Sequence, residues 1–111
     1  MTSKLVAACG AILIATPSAA ADIQAERLKL ISQLTVAGVF QKLEKPAQFC
    51  RIWTGPRFDA LPFDNKDAFV NIVYAYCITA DPGASIVVVK DGRSGREIGE
   101  YSSFTGGLRL K

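Results

Sequence analysis

The side chains that could do chemistry in this sequence are carboxylates, lysines, tyrosines and cysteines, because the chain contains no histidine. Nucleophilic catalysis by serine or cysteine usually depends on an adjacent base, most often histidine. A serine–lysine pair could use Lys66 or Lys90, but no motif in the sequence supports one. The residues therefore predict no catalytic group, and they favour a binding or structural module over an enzyme.

Paired carboxylates are the next candidates for acid–base chemistry. Glu97 and Glu100 lie an odd number of residues apart on a predicted strand, so their side chains should point to opposite faces. Asp64 and Asp67 stand where a helix should begin, and there we interpret Asp64 as the N-cap and Asp67 as its capping-box partner. The segment Gly92–Arg96 lacks the lysine and the strand–loop–helix context of a phosphate loop, which indicates a solvated hairpin tip.

Cys50 and Cys77 are the two cysteines that follow the N-terminal apolar segment. In an oxidising compartment such a pair most simply forms a disulfide, and we predict that it does. A redox-active pair usually has the closer Cys-x-x-Cys spacing. Zinc would have to find its ligands among carboxylates and these two thiols. The sequence predicts neither a metal site nor a cofactor.

The N-terminal segment has the composition of a secretory signal peptide. Lys4 supplies a positive start, residues 5–15 are an apolar run, and Thr16–Ala21 supplies a helix breaker and small residues. We predict removal of residues 1–21, with cleavage after Ala20 or Ala21, and an exported protein that is periplasmic or secreted. A membrane anchor is the alternative, but a spanning helix needs about 20 apolar residues and this run is shorter. Cys9 would leave with the leader.

The charge of the mature chain argues against a nucleic-acid partner. Loss of Lys4 with the leader lowers the formal net charge from +3 to +2, which is too small for a typical nucleic-acid-binding domain. No segment after the leader is apolar enough to span a membrane. An envelope protein is the kind of partner that we expect, and the residues indicate no particular oligomeric state.

The mature chain is predicted to form one α+β domain, residues 36–111, preceded by an amphipathic N-terminal helix over residues 22–35. A central helix over Asp64–Ile78 is favoured by its acidic start and its length, although its valines, isoleucine and tyrosines also suit a strand. Strands are predicted at residues 36–44, 48–54, 85–90 and 97–102, and Leu108–Leu110 could add a short fifth. For residues 36–44 the alternative is a continuation of the preceding helix. We expect a four-stranded, mostly antiparallel sheet with the central helix across one face.

Alternation in the second predicted strand indicates a candidate interaction surface. Arg51 and Trp53 should point to one face of the sheet, while Cys50 should point to the helix side. Aromatic and arginine side chains dominate interface hot spots, and the candidate surface consists of Trp53, Arg57, Phe58 and Arg51. The alternative is that Trp53 belongs to the core or is covered by the N-terminal helix.

Several of these residues also form a pattern similar to small, uncharacterised exported α+β domains of bacteria. The pattern joins a strand that ends near Trp53, an aromatic-x-x-Leu element, a helix with an early lysine and a Gly/Tyr-containing hairpin: Phe58, Leu61, Lys66, Asp91, Gly95, Ile98, Gly99 and Tyr101. The resemblance implies a fold and an exported setting, without an activity.

Three hypotheses about function follow from these observations. The favoured one is a non-catalytic exported module, which binds a partner or supports structure in the bacterial envelope and is held together by one disulfide. The alternatives are a small secreted hydrolase that uses carboxylate, lysine or tyrosine groups, and an inhibitor of a secreted hydrolase with Gly92–Gly95 as its wedge.

Overall fold

The computed structural model describes residues 3–46 and 49–111, and of residues 3–18 it describes the backbone alone. Two helices and five strands lie in this part of the chain. Their order is α1 (Ser3–Val36), β1 (Phe40–Glu44), β2 (Cys50–Thr54), α2 (Phe63–Ala80), β3 (Val87–Asp91), β4 (Glu97–Ser102) and β5 (Gly107–Leu110). The domain is therefore α+β, as its sequence predicts.

The N-terminal predictions are only partly covered by the described residues. The predicted helix over residues 22–35 lies within α1, which also includes the backbone of most of the predicted leader. Met1 and Thr2 lie outside the described part of the chain, as does Gln48, the predicted first residue of the second strand. Removal of residues 1–21 stays a prediction. Among the described residues, no helix is long and apolar enough to cross a bilayer.

The sheet has five strands in the order β1-β2-β3-β4-β5, so the expectation of four strands is wrong by one. The sequence predicts that Gly106 and Gly107 break the fourth strand and that Leu108–Leu110 could add a short fifth, and the structure has this fifth strand as β5. Gly106 and Gly107 reverse the chain, and both have positive φ angles, 73° and 127°, which glycine adopts without steric cost. This reversal lets β5 pair antiparallel with β4.

One pairing makes the sheet mixed. Strands β2 and β3 are parallel, with Cys50 opposite Val87 and Thr54 opposite Asp91, whereas the other three pairings are antiparallel. Adjacent parallel strands require a long crossover connection, and α2 together with its flanking loops supplies it. The carboxyl ends of β2 and β3 consequently lie side by side at the same end of the sheet.

Helix α2 covers one face of the sheet, and a disulfide attaches its last turns to β2. The Cys50–Cys77 bridge joins α-carbons 6.5 Å apart across 27 residues of sequence, and both cysteines are buried. The fully buried residues of α2, Val70, Val73 and Cys77, follow helical spacing. The predicted disulfide and its attachment of helix to strand are confirmed.

Helical spacing in the sequence predicts one apolar face with Phe69, Ile72, Val73 and Tyr76, and a polar side that includes Tyr74. The face that is buried in the structure is rotated from this prediction. Phe69, Ile72 and Tyr76 are only partly buried. Tyr74, expected on the polar side, packs against Tyr101 with ring centroids 5.1 Å apart. Helix α2 contacts α1 as well as the sheet. A helix that packs on two neighbours needs apolar side chains on more than one side, which explains the shifted face.

The carboxylates near the start of α2 do not cap it. The helix begins at Phe63 after Pro62, and no side chain forms a capping hydrogen bond. Asp67 instead accepts a hydrogen bond of 2.8 Å from the backbone N–H of Leu108 in β5. The predicted capping box is therefore wrong, because Asp67 has a tertiary partner 41 residues away. This bond also satisfies a donor on the last strand of the sheet, where unpaired backbone groups invite association.

Loss of the disulfide should destabilise the domain. The Cys50→Ala/Cys77→Ala double variant is expected to unfold about 3–4 kcal/mol more easily in urea, the loop-closure value for a ring of this size. Its unfolding curve should not change on addition of a reductant, whereas the wild-type curve should shift toward that of the variant. A wild-type curve that ignores the reductant under unfolding conditions would contradict a stabilising bridge.

The Asp67–Leu108 bond should contribute measurably to the attachment of β5. We expect Asp67→Ala to lower the free energy of unfolding by about 1–2 kcal/mol, because the variant removes a hydrogen bond to a charged acceptor. Hydrogen exchange of the Leu108 amide should accelerate in the same variant. Asp64→Ala is the matched control, since it removes a carboxylate from the same helix end. Equal effects of the two variants would mean that helix charge, rather than the bond to β5, is responsible.

Candidate interaction surface

The sheet face opposite the helices is the candidate functional surface. Along β2, Cys50, Ile52 and Thr54 are buried on the helix side, whereas Arg51 and Trp53 are half-buried on the other side. Both helices pack on the Cys50 side, since α2 carries Cys77 and Ile31 of α1 joins the same core. In the described part of the chain, no helix lies over Trp53.

Strand register brings two lysines to the indole ring of Trp53. Trp53 is directly opposite Lys42 of β1 and Lys90 of β3. The lysine Nζ atoms lie 4.7 and 5.7 Å from the ring centroid, within the distance at which a cation is attracted to an aromatic face. The indole thus holds two ammonium groups above the open side of the sheet.

Glu44 contacts Trp53, Arg51 and Lys42 at the same time. Its Oε1 atom accepts a hydrogen bond of 3.3 Å from Trp53 Nε1 and also lies 3.3 Å from Arg51 Nε. The Arg51 contact is an ion pair without the direction of a hydrogen bond, and Lys42 Nζ lies 3.5 Å from the second carboxylate oxygen. We call the set Lys42, Glu44, Arg51, Trp53 and Lys90 the Trp53 face.

The Trp53 face continues across the sheet as a row of mixed charge. Glu44 and Arg51 pair directly, and the row extends through Val88 to Glu100 and then to Arg109 on β5. Lys42 has Glu44 as an ion-pair partner, whereas Lys90 has no ion pair among the described residues. Lys90 is therefore the lysine of this surface that can take a carboxylate from another molecule.

The four residues of the predicted interaction surface separate in the structure. Trp53 and Arg51 share the open face. Phe58 is only 1% exposed and packs in the core against Phe40, with ring centroids 6.3 Å apart. Arg57 is exposed, but it lies in the connection between β2 and α2, with its aliphatic stem against Gly38. Phe58 thus supports the fold instead of offering a contact surface.

Sequence reasoning misses Lys42, Glu44 and Lys90 as members of the surface. They lie in three strands with Trp53, and their proximity depends on strand order and register, which local alternation does not reveal. Among the side chains of residues 19–46 and 49–111, no three acidic or thiol groups come together as a set that could hold a metal ion.

Glu44 should control the fluorescence of Trp53, the only tryptophan. The hydrogen bond from Trp53 chiefly lowers the pKa of Glu44 below its usual value, with additional attraction from Lys42 and Arg51. A carboxyl with a lowered pKa stabilises the fold above its unfolded-state pKa, and this contribution is lost as the pH falls through the folded-state value. We therefore expect Trp53 emission to change with a midpoint below the ordinary glutamate pKa, while circular dichroism shows a folded chain.

Two variants test this assignment. Glu44→Gln should abolish the acid transition in Trp53 emission, because the amide does not ionise. Glu100→Gln, which changes a carboxylate on the same sheet face that does not contact the indole, should leave it in place. An unchanged transition in Glu44→Gln would assign the titration to another group.

Comparison with protein-family models, with curated proteins and with solved structures finds no match to this chain.

Proposed function

We propose that this protein is a non-catalytic binding module that acts outside the cytoplasm and holds an acidic envelope protein on the Trp53 face. The observation that carries the proposal is the half-buried indole of Trp53 between the ammonium groups of Lys42 and Lys90 on a helix-free face of the sheet. Tryptophan and arginine are the side chains most often found at the energetic centre of protein interfaces. The signal-peptide composition and the disulfide support an exported setting.

Charge favours an acidic partner over a neutral one. Lys90 has no carboxylate in ion-pair range within the described residues, and Arg109, at the end of the charged row, is exposed and likewise unpaired. A partner that places carboxylates over these two cations would gain attraction without breaking an existing ion pair. Glu44 neutralises the opposite side of the surface, so the acidic groups of the partner should lie toward β3 and β5.

The surface is also prepared for binding before a partner arrives. The hydrogen bond to Glu44 and the two lysine ammonium groups near its ring restrict the indole of Trp53. Restricting a side chain in advance lowers the entropy lost on association. A rigid, amphipathic indole surrounded by charge suits a contact that is central and partly desolvated.

A capture experiment with matched variants tests the proposal. The mature protein is immobilised and exposed to periplasmic extract, and the captured proteins are quantified for wild type, Trp53→Ala, Lys90→Ala and Lys29→Ala. We expect Trp53→Ala to reduce capture of a specific acidic protein by at least about tenfold, as loss of a hot spot does. Lys90→Ala should weaken capture and reduce its salt dependence.

Lys29→Ala is the control because it removes the same charge from the exposed side of α1. It should capture the partner as wild type does. Retained capture by a folded Trp53→Ala variant, or equal losses in Lys90→Ala and Lys29→Ala, would remove the Trp53 face as the binding surface. With the purified partner, the emission of Trp53 should shift on binding.

A further inference from the structure

A second surface lies at the end of the sheet, beyond the carboxyl ends of the parallel strands β2 and β3. A cleft of about 190 Å³ opens there, between the connection that follows β2 and the hairpin that follows β3. Its lining includes Gln41, Thr54, Asp59, Asp91, Gly92 and Arg93. In open α/β sheets, ligands bind outside the carboxyl ends of parallel strands, and β2 and β3 supply one such pair of ends here. The cleft is smaller than the roughly 300–1,000 Å³ of sites for drug-sized molecules, so it suits a small ligand.

Close backbone packing forms the base of the cleft. A Cβ atom on Gly92 would lie 2.0 Å from the carbonyl oxygen of Thr54, and one on Gly55 would lie 2.3 Å from the carbonyl oxygen of Gly38. Neither position can therefore carry a side chain without a shift of the backbone. The amide of Gly92 donates to Thr54 Oγ1 at 3.3 Å, which joins the ends of the two parallel strands and holds the base in place.

One of the two acidic residues in the cleft, Asp91, already accepts hydrogen bonds from its own hairpin. Asp91 accepts hydrogen bonds from the N–H groups of Arg93 and Ser94 at 3.3 and 3.2 Å, and from the Ser94 hydroxyl at 2.7 Å. The bond from the Ser94 hydroxyl is the main reason that the pKa of Asp91 lies below its usual value. Asp91 thus remains an anion that shapes the hairpin, and its oxygens are committed to that role.

Asp59 and Arg93 are the charges of the cleft without an ion pair of their own, although attraction by Arg93 also contributes to the lowered pKa of Asp91. Both side chains are exposed, and neither forms a hydrogen bond or an ion pair with another described residue through its charged group. They belong to different loops and line the same small cleft. A molecule that bridges them must carry a hydrogen-bonding cation for the carboxylate and an anion that fits the planar fork of the guanidinium.

We propose that this cleft binds a small zwitterion of the amino-acid type, with its ammonium group at Asp59 and its carboxylate at Arg93. Gln41 adds an amide that can accept from the ammonium or donate to the carboxylate. Trp53 does not line the cleft, although a Cβ atom on Gly95 of the same hairpin would lie 3.7 Å from its ring. The site uses residues other than those of the Trp53 face and does not rest on the proposed function.

Nuclear magnetic resonance titration of the folded chain tests the site. The probes are alanine, ethylamine and propionate, which present both charges, the ammonium alone and the carboxylate alone. We expect alanine to shift the amide resonances of Gly55 and Gly92 saturably. Asp59→Asn and Arg93→Gln should each weaken alanine binding about tenfold or more, since each removes one charge-assisted contact. Arg96→Gln, an exposed charge of the same hairpin outside the cleft, should bind alanine as wild type does.

The outcomes separate this proposal from its rivals. Binding of ethylamine or propionate as tightly as alanine would overturn the zwitterion and leave a site for one charge. The absence of a saturable shift, or full alanine binding by folded Asp59→Asn and Arg93→Gln, would overturn the site itself. Both results are read from the amides of Gly55 and Gly92 and from the Asp59 and Arg93 variants, so neither depends on whether the Trp53 face binds a protein.

Discussion

The disulfide between Cys50 and Cys77 is the constraint on which the rest of this architecture depends. It joins the first residue of β2 to the last turns of α2 in the centre of the core. A bridge of this span contributes roughly 3–4 kcal/mol, a large share of the roughly 5–15 kcal/mol by which a domain is stable. Because it holds the end of α2 beside the start of β2, the chain leaves the helix where β3 can add in parallel.

This crossover produces two different surfaces. With α2 and α1 on one side of the sheet, the other side is left to Trp53 and the charged side chains around it. The parallel alignment of β2 and β3 brings Thr54 and Asp91 together at one end of the sheet, where the loops that follow them border a cleft. If β2 and β3 were antiparallel, their carboxyl ends would lie at opposite ends of the sheet. The open face and the cleft are thus consequences of one topological feature.

Local sequence patterns predict burial well where a helix or strand packs on one neighbouring element only. The alternation in β2 separates Cys50 and Ile52 from Arg51 and Trp53, as the structure shows. The patterns fail where an element packs on two neighbouring elements. Helix α2 packs on both α1 and the sheet, so its buried stripe is shifted, and Asp67 bonds to β5 instead of capping its own helix. Phe58 lies in an irregular loop without a period, so nothing local distinguishes a core residue from a surface one.

The sequence alone determined the α+β class, the disulfide pair and the sidedness of β2, because each follows from short-range spacing or from the count of cysteines. Tertiary structure decided that β5 completes a five-stranded sheet, that β2 and β3 are parallel, and that Lys42 and Lys90 flank the indole of Trp53. These features depend on contacts between residues far apart in the chain, whose register is set when the core packs. The free energy of that packing, rather than any local preference, selects which strands become neighbours.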